Sequence, residues 1–190
     1  MSASAFFGQP VAMKPAPRLA TLADLTAIRA LIPLSVRGLN RGMYTPEQLD
    51  ASLQHVFGAD TQIIRDGTYY VVEEEGVLVA CGGWSRRRTL YGGDQLKGGE
   101  DPLLAPEREP ARIRAFFVHP KHARRGLGSL LLETCTAAAR AAGFRALELG
   151  ATLPGVALYE ACGFREVERV TQPMPGGLSL PVVRMRMEIR

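Results

Sequence analysis

One stretch of the chain, residues 123–132, constrains the fold more than any other. It reads Ala-Arg-Arg-Gly-Leu-Gly-Ser-Leu-Leu-Leu, follows an apolar run at 113–118 and opens a long segment rich in alanine and leucine. This order predicts a strand, a tight turn and a helix start, whose free N–H groups and dipole attract anions. Gly126 and Gly128 lack a Cβ, so a phosphate can approach the backbone, and the two arginines before them add charge. The stretch predicts a pyrophosphate site; the alternative is a tight turn without a ligand.

Two familiar nucleotide-binding turns match this stretch poorly. A Walker loop needs Gly-Lys-Ser or Gly-Lys-Thr, which does not occur in the sequence. A Rossmann turn needs a third glycine, where this chain has Leu131, and an acidic residue about 20 positions on, where Glu148 is roughly in range. The segments upstream of the turn read as an antiparallel hairpin, and not as a βαβ array. Other motifs are therefore needed to identify the phosphate-bearing ligand.

The composition is that of an ordinary globular protein. The chain has 190 residues, of which 46% are apolar and 22% charged, enough for one domain with a real core. Residues 1–17, with three prolines, are predicted to form a flexible arm before a single domain at 18–190. The net charge of +4 is mild, whereas a nucleic-acid binder usually shows a stronger basic stripe. A nucleic-acid partner is the least favoured alternative, supported by the triplet 86–88 and by a sequence pI of about 9.2.

The cysteines and the hydropathy pattern predict a cytoplasmic protein without a metal. Cys81, Cys135 and Cys162 are odd in number, and no pair has the spacing of metal ligands, so buried free thiols are expected. No apolar run approaches the roughly 18 residues of a membrane span, and the N-terminus lacks the features of a signal peptide. No membrane partner is therefore expected.

Two helices are predicted before the first strand. The first begins near Thr21 and carries apolar residues at helical spacing until Pro33, which should end or kink it. The second begins at Thr45-Pro46-Glu47-Gln48, a capping box with proline at the first helical position.

Apolar runs and turn residues place the remaining elements. Strands are predicted at 69–74, 77–85, 112–118, 146–149, 166–172 and 182–189, with a further short strand near 17–20, and helices at 128–142 and 156–162. The long polar loop 86–110 is expected to be either functional or disordered. The pattern predicts a mixed α/β (α+β) sheet with parallel pairing across the crossover helix. The closing hairpin offers a sheet edge for a possible homodimer.

Two further motifs flank the glycine turn. Phe117-Val118-His119-Pro120 precedes it, and Leu158-Tyr159-Glu160-Ala161-Cys162-Gly163-Phe164 follows after one more strand. With these motifs the sequence resembles the GCN5-related N-acetyltransferase (GNAT) superfamily, in which a strand ending in Val-x-Pro leads into a Gln/Arg-x-x-Gly-x-Gly/Ala loop. In that family a later helix carries Leu-Tyr-x-x-x-Gly-Phe. The match is clear over 112–170 and looser before it.

The resemblance implies a fold, a cosubstrate and a reaction. The implied fold is a centrally splayed mixed sheet of about six to seven strands flanked by helices. The implied reaction is direct transfer of acetyl from acetyl-CoA to a primary amine, and the alternative is a non-catalytic CoA-binding or regulatory module. By resemblance, the residues that would hold the pyrophosphate and pair with the pantetheine arm are Phe117, Val118, Arg124, Arg125, Gly126, Leu127, Gly128 and Ser129. One departure is Ala123, which stands where the family has Gln or Arg.

The resemblance also implies a catalytic acid, Tyr159. A phenol can donate a proton to the departing CoA thiolate. The general base is less evident, because the strand 112–118 carries no carboxylate. Glu107, Glu109 and His119 are nearby candidates, and a water relay or an acceptor that arrives neutral is an alternative.

The acceptor is expected to be a small-molecule amine or a protein amine. Its pocket is predicted on the connection between the two N-terminal helices, at Ser35, Arg37, Asn40, Arg41 and Tyr44, and near Trp84 and the arginines 86–88. The alternative is that Trp84 is a core residue and that the three arginines form a solvated face. Arg112 and Arg114 would either favour an acidic substrate or form solvated charge at a strand edge.

Overall fold

The computed structural model describes residues 15–189, so most of the predicted arm at 1–17 lies outside the described residues. The helices are α1 (Leu25–Leu39), α2 (Pro46–His55), α3 (Thr61–Arg65), α4 (Leu127–Ala141) and α5 (Val156–Ala161). The strands are β1 (Arg18–Leu19), β2 (Tyr69–Glu74), β3 (Val77–Ser85), β4 (Ala111–Val118), β5 (Ala146–Thr152), β6 (Arg165–Pro173) and β7 (Ser179–Glu188). Within 15–189, no helix has the length and apolar character that a membrane crossing requires.

The strands form one mixed seven-stranded sheet in the order β1-β2-β3-β4-β5-β7-β6. Neighbours are antiparallel except β4 and β5, whose parallel pairing follows from the crossover through α4. These two strands pair only at their beginnings, Ala111 with Leu147 and Arg112 with Glu148. Beyond that point they separate, which confirms the predicted central splay. β6 forms one edge of the sheet, and a homodimer through this edge stays a prediction.

A bulge in β4 decides which side chains face each side of the sheet. Ala115 and Phe116 stand against Gly82 alone, and Ala115 has a φ of 55°. The extra residue reverses the alternation of side chains along the strand. Phe116 consequently packs on the side of α4 and α5, whereas Phe117 packs on the side of α1. Gly82 allows this arrangement, because a Cβ there would lie 2.6 Å from the Phe116 ring.

The core lies on both faces of the sheet. Helices α1, α2 and α3 cover one face through buried residues such as Ile28 and Ile63. Helices α4 and α5 cover the other face through residues such as Leu132 and Phe164. The prediction of buried thiols is confirmed for two of the three cysteines and wrong for Cys162, which is partly exposed. Cys162 lies at the C-terminal end of the short helix α5, where part of its surface stays accessible to solvent.

Helix α1 departs from the sequence-based expectation. It continues through Pro33 to Leu39, so the proline does not end the helix. A proline inside a helix loses one backbone hydrogen bond, and here buried residues on both sides of it, including Leu31 and Val36, hold the helix against the sheet. The sequence pattern also missed α3, which has only five residues and begins at the cap Asp60, whose carboxylate accepts the Ile63 N–H.

Candidate active site

A cavity of about 610 Å³ opens where β4 and β5 separate. Its walls come from two groups of segments on opposite faces of the sheet, with residues 113–118 of β4 between them. We call the first group the turn half; it comprises His122, Ala123, Arg124, Gly126–Ser129, Ala157, Leu158, Tyr159 and Ala161. We call the second group the α1 half; it comprises Ser35, Val36, Leu39, Asn40, Phe57, Gly58, Tyr91, Gly92 and Gly93.

The turn half is built around the N-terminus of α4. Gly126 caps the helix in the left-handed region with a φ of 84°, and no atom lies within 4 Å of where its Cβ would be. The first bond of the helix runs from the Leu130 N–H to the Gly126 carbonyl, at 2.9 Å. The amides of the three residues between them therefore have no acceptor within the helix. They line the cavity as a backbone cradle suited to an anion.

Gly128 allows two helices to pack closely, and its predicted contact with a phosphate stays a prediction. A Cβ at this position would lie 2.9 Å from Leu158 Cδ2 in α5. Its missing side chain therefore lets α4 and α5 approach each other, whereas the open approach to the backbone exists at Gly126. Close packing of the two helices brings Tyr159 of α5 to the same cavity.

The two arginines of the turn point to different partners. Arg124 lines the cavity and has a φ of 63°, an uncommon conformation for a residue with a Cβ. Arg125 is half exposed, and its Nη1 lies 2.9 Å from Glu74 Oε2. Glu74 also contacts His122, whose Nδ1 lies 2.9 Å away. The geometry therefore favours Arg124 for the predicted role in place of the polar side chain missing at Ala123, and it holds Arg125 on β2.

The gap-facing edge of β4 already has one partner. The His119 N–H donates to the Val79 carbonyl at 2.8 Å, so the N–H before it points away from β3. That group, the Val118 N–H, donates to Ser35 Oγ of α1 at 3.1 Å. Both predicted residues, Phe117 and Val118, line the cavity. Ser35, which the sequence predicted in the acceptor pocket, thus also occupies the N–H of β4 that was predicted to pair with pantetheine.

Tyr159 lies on the cavity wall beside the bulge. Its ring packs edge-on against Phe116, with centroids 6.4 Å apart, and against Phe164, at 5.7 Å. Burial raises the pKa of the Tyr159 phenol far above its ordinary value. Within the described part of the chain, no side-chain hydrogen bond holds the hydroxyl. The phenol is therefore protonated and free to donate to a group in the cavity.

The two arginines of β4 are neither solvated nor available to a ligand. Arg114 is fully buried, with its Nη2 2.8 Å from Asp60 Oδ2 and 2.7 Å from the Gly92 carbonyl. Arg112 pairs with Glu148 at 2.9 Å across the parallel register. The expectation of solvated strand-edge charge is therefore wrong, because the parallel pairing and α3 place a carboxylate on each guanidinium.

The residues considered as bases do not line the cavity. His119 Nδ1 accepts the Lys121 N–H and caps the turn that follows β4. Glu109 contacts Arg88 and the Ala105 N–H, far from the gap. Among residues 15–189, no lining residue is an aspartate or a glutamate. Nor does that part of the chain contain a group of histidine, cysteine, aspartate and glutamate suited to a metal ion.

The other predicted acceptor residues divide between cavity and scaffold. Ser35 and Asn40 line the cavity. Tyr44 is buried, and its hydroxyl accepts the Leu153 N–H and donates to the Pro181 carbonyl, which ties the α1–α2 connection to the ends of β5 and β7. Arg37 pairs with Asp50 on the surface. The cavity residues that the sequence did not predict include Phe57 and Tyr91, which lie outside every motif.

Trp84 and the arginines beside it belong to the scaffold. Trp84 is 3% exposed and packs edge-on against Phe144, so the core interpretation is the correct one. Arg86 lies over the Trp84 ring at 5.6 Å. Arg87 binds Asp66, with its Nε 2.7 Å from Oδ2, and Arg88 binds Glu109. The triplet is therefore engaged within the protein and does not form a free basic patch.

The fold has many solved counterparts. A GCN5-related N-acetyltransferase described as "Aminotransferase, Class-II" from Rhodopseudomonas palustris is 20% identical, with a TM-score of 0.69 over 96% of this chain and 100% of that one. A putative acetyltransferase, yncA from Salmonella typhimurium with acetyl-CoA, is 21% identical, with 0.60 over 93% and 95%. The paia N-acetyltransferase from Thermoplasma acidophilum in complex with coenzyme A is 11% identical, with 0.62 over 93% and 99%.

These identities establish the shared fold and no more. Among curated proteins, none matches the sequence significantly. The sequence model of the acetyltransferase (GNAT) family, however, matches residues 35–164, which is more than half of the chain. The matched range includes the last five residues of α1, the glycine turn and Tyr159. This chain therefore belongs to the acetyltransferase (GNAT) family.

Proposed function

We propose that the protein is an acetyl-CoA-dependent N-acetyltransferase that transfers acetyl directly to a primary amine. The observation that carries the proposal is the single cavity that joins the backbone cradle at Gly126 to the Tyr159 hydroxyl and to the α1 half. Such a cavity gives a phosphate-bearing donor and a second substrate a common space beside one proton donor. Two substrates held in one space react without a covalent enzyme intermediate.

The turn half fits the phosphates of acetyl-CoA. The open space at Gly126 and the free amides of residues 127–129 provide close backbone approach and donors, and Arg124 adds charge. The edge of β4 at Val118 would pair with the pantetheine arm, displacing or sharing the Ser35 hydroxyl. When bound, acetyl-CoA supplies the acetyl group as an activated thioester.

Tyr159 holds the proton that the transfer consumes. The amine nitrogen forms a bond to the acetyl carbon, the carbon–sulfur bond breaks, and Tyr159 donates its hydroxyl proton to the sulfur. The nitrogen loses its proton to solvent, from which Tyr159 regains one, so that the products are an amide and a thiol. The raised pKa of the Tyr159 phenol keeps this donor protonated at neutral and mildly alkaline pH.

The lining of the cavity also bears on how the amine is activated. No carboxylate among residues 15–189 lines it, so an ammonium finds no carboxylate base there. We infer that the acceptor reacts from its neutral fraction, with water carrying the proton away. The same observation favours the second candidate function, a non-catalytic CoA-binding module, in which the α1 half holds no reacting amine.

Two measurements separate these functions. Calorimetry with acetyl-CoA should show one binding site per chain, and absence of binding at millimolar ligand would contradict both functions. Release of free thiol from acetyl-CoA is then followed over a broad panel of primary amines. Transfer to any amine, lost in the variant Tyr159→Phe, supports the enzyme. Binding of acetyl-CoA with no transfer across the panel supports the non-catalytic module.

A further inference from the structure

The α1 half of the cavity is lined mainly by apolar side chains, and its polar side chains, Ser35, Asn40 and Tyr91, are uncharged. The apolar and aromatic lining comes from Val36 and Leu39 of α1, from Phe57, which follows α2 in the chain, and from Tyr91 of the long loop. Phe57 packs edge-on against Phe117, with centroids 6.3 Å apart. Tyr91 lies against Gly150 of β5, where a Cβ would come within 2.6 Å of its ring. Two aromatic rings thus bound a space that suits a hydrophobic or aromatic body.

This space offers no counter-charge to a second ammonium group. No aspartate or glutamate lines the cavity within the described part of the chain. Two carboxylates behind this wall are already engaged: Asp60 is fully buried between Arg114 and Lys97, and Asp101 accepts the Thr89 N–H and lies 3.7 Å from Arg114. An ammonium moved into this pocket loses its hydration and gains no ionic partner in return.

The space offers no counter-charge to a carboxylate either. Arg114 is the one basic residue on this side of the cavity among residues 15–189. Its side chain has no exposed surface and is held by Asp60 and the Gly92 carbonyl. Burial lowers the pKa of Arg114, and Asp60 opposes that effect, so the guanidinium stays an internal ion-pair partner. The interpretation of Arg114 as a site for acidic substrates is therefore wrong.

From this lining we infer the chemical class of the acceptor. We propose that it is a small primary amine with a single amino group on an apolar body, preferably an aromatic one, that carries no second charge. This inference rests on the proposed acetyl transfer and narrows it to one class of acceptor. Polyamines, amino acids with free carboxylates and cationic sugars are excluded by the same reasoning.

Three amines of nearly identical shape test the inference on the full-length protein. Para-methylbenzylamine, para-(aminomethyl)benzylamine and para-(aminomethyl)benzoate differ only in a neutral, a cationic or an anionic group at the far end. The kcat/KM for thiol release should be highest for the neutral amine, by at least about tenfold over each charged one. Equal values, or a preference for either charged amine, would overturn the inference and leave the proposed function standing.

A change of charge in the wall provides a second test. Leu39 lines the cavity at the end of α1 and is 36% exposed, so Leu39→Glu adds a carboxylate there without burying it. The diamine should gain roughly tenfold in kcat/KM relative to para-methylbenzylamine. The matched control is Leu34→Glu, on the same helix, 51% exposed and outside the cavity lining; its ratio should stay within about twofold of the unmodified protein. Equal ratios in the two variants would contradict the inference.

The remaining outcomes are also decisive. Spermidine and a tripeptide with an N-terminal alanine complete the panel, and transfer to either of these alone would overturn the inference but not the acetyl transfer. If no amine is acetylated although acetyl-CoA binds by calorimetry, the proposed function fails, and the inference about its acceptor fails with it.

Discussion

The two halves of the cavity are built in different ways. The turn half comes mainly from one continuous segment, 122–129, and its donors are backbone amides at the start of α4. The α1 half is assembled from α1, the residues after α2, and the loop 86–110, and its surface consists of side chains. A backbone site needs only a particular chain conformation, whereas a side-chain site needs several elements to meet. The first can therefore be recognised from a local stretch of sequence, whereas the second depends on how distant segments pack.

The Asp60–Arg114 pair shows what holds the α1 half in place. Asp60 caps α3, Arg114 comes from β4, and Lys97 comes from the loop, so one buried carboxylate ties three segments together. Arg114 also fixes the Gly92 carbonyl and thereby the loop that carries Tyr91. In the turn half, Glu74 of β2 contacts His122 and Arg125 and so joins only two segments, while Gly126 and the helix start set the backbone conformation.

The largest expected effect is a loss of kcat on substitution of Tyr159 in the turn half. Tyr159→Phe removes the proton donor but keeps the ring that packs against Phe116 and Phe164. We expect kcat to fall by about 10² to 10⁴, with the Kd for acetyl-CoA changed less than about threefold, in steady-state assays and calorimetry. Tyr70→Phe, at a residue outside the cavity lining, is the control and should keep kcat within about twofold. A normal kcat in Tyr159→Phe would remove the hydroxyl from the mechanism.

The charge network of the α1 half is tested by Asp60→Asn. This change keeps the size and the helix cap but removes the closer of the two carboxylates that pair with the fully buried Arg114, leaving Asp101 at 3.7 Å. The free energy of unfolding should fall by about 3–5 kcal/mol in urea denaturation. Asp50→Asn breaks the exposed pair with Arg37, whose side chains are 56% and 59% exposed, and should cost less than about 1 kcal/mol. Similar losses in the two variants would show that burial does not matter here.

The backbone character of the turn half is tested by Gly126→Ala. An alanine at a φ of 84° is strained by about 1–2 kcal/mol, and relief of that strain distorts the cradle. Calorimetry should show acetyl-CoA binding weakened roughly tenfold. Gly98→Ala, in an open part of the loop with no atom near the new Cβ, should leave the affinity unchanged. Unaltered binding in Gly126→Ala would mean that the cradle is not the phosphate site.

The last prediction concerns the protonation state of the amine, because no carboxylate among residues 15–189 lines the cavity. If the amine reacts from its neutral fraction, kcat/KM should rise with pH over about pH 6 to 9, and its inflection should follow the pKa of each amine used. Because the pKa of the Tyr159 phenol is raised, Tyr159 stays protonated over this range. Deprotonation of this acid therefore does not lower kcat/KM at the upper end of the profile. Profiles for two amines of different basicity provide the measurement. An inflection near neutral pH that stays fixed when the amine changes would reveal a base on the protein.

Local rules explain which parts of the fold were predictable. The strands β2 and β3 occupy the predicted ranges, because their apolar runs and the turn between them, Glu75-Gly76, are contained in a few residues. Helix α2 begins at its predicted capping box, with the Thr45 hydroxyl accepting the Gln48 N–H at 3.2 Å. Helix α1 did not follow the local rule at Pro33, because burial of its far half against β4 outweighs one lost hydrogen bond.

The sequence by itself determined the glycine turn, the motifs on either side of it and, through them, the family and a mixed, splayed sheet. These features depend on backbone conformation, and glycine, proline and capping residues specify that conformation within a few positions. Only the tertiary structure decided that Gly128 allows α4 and α5 to pack closely, that Arg114 pairs with Asp60 and that Phe57 and Tyr91 line the cavity. Each of these contacts joins segments far apart in the chain, and their partners are chosen by packing and charge neutralisation, which no local pattern encodes.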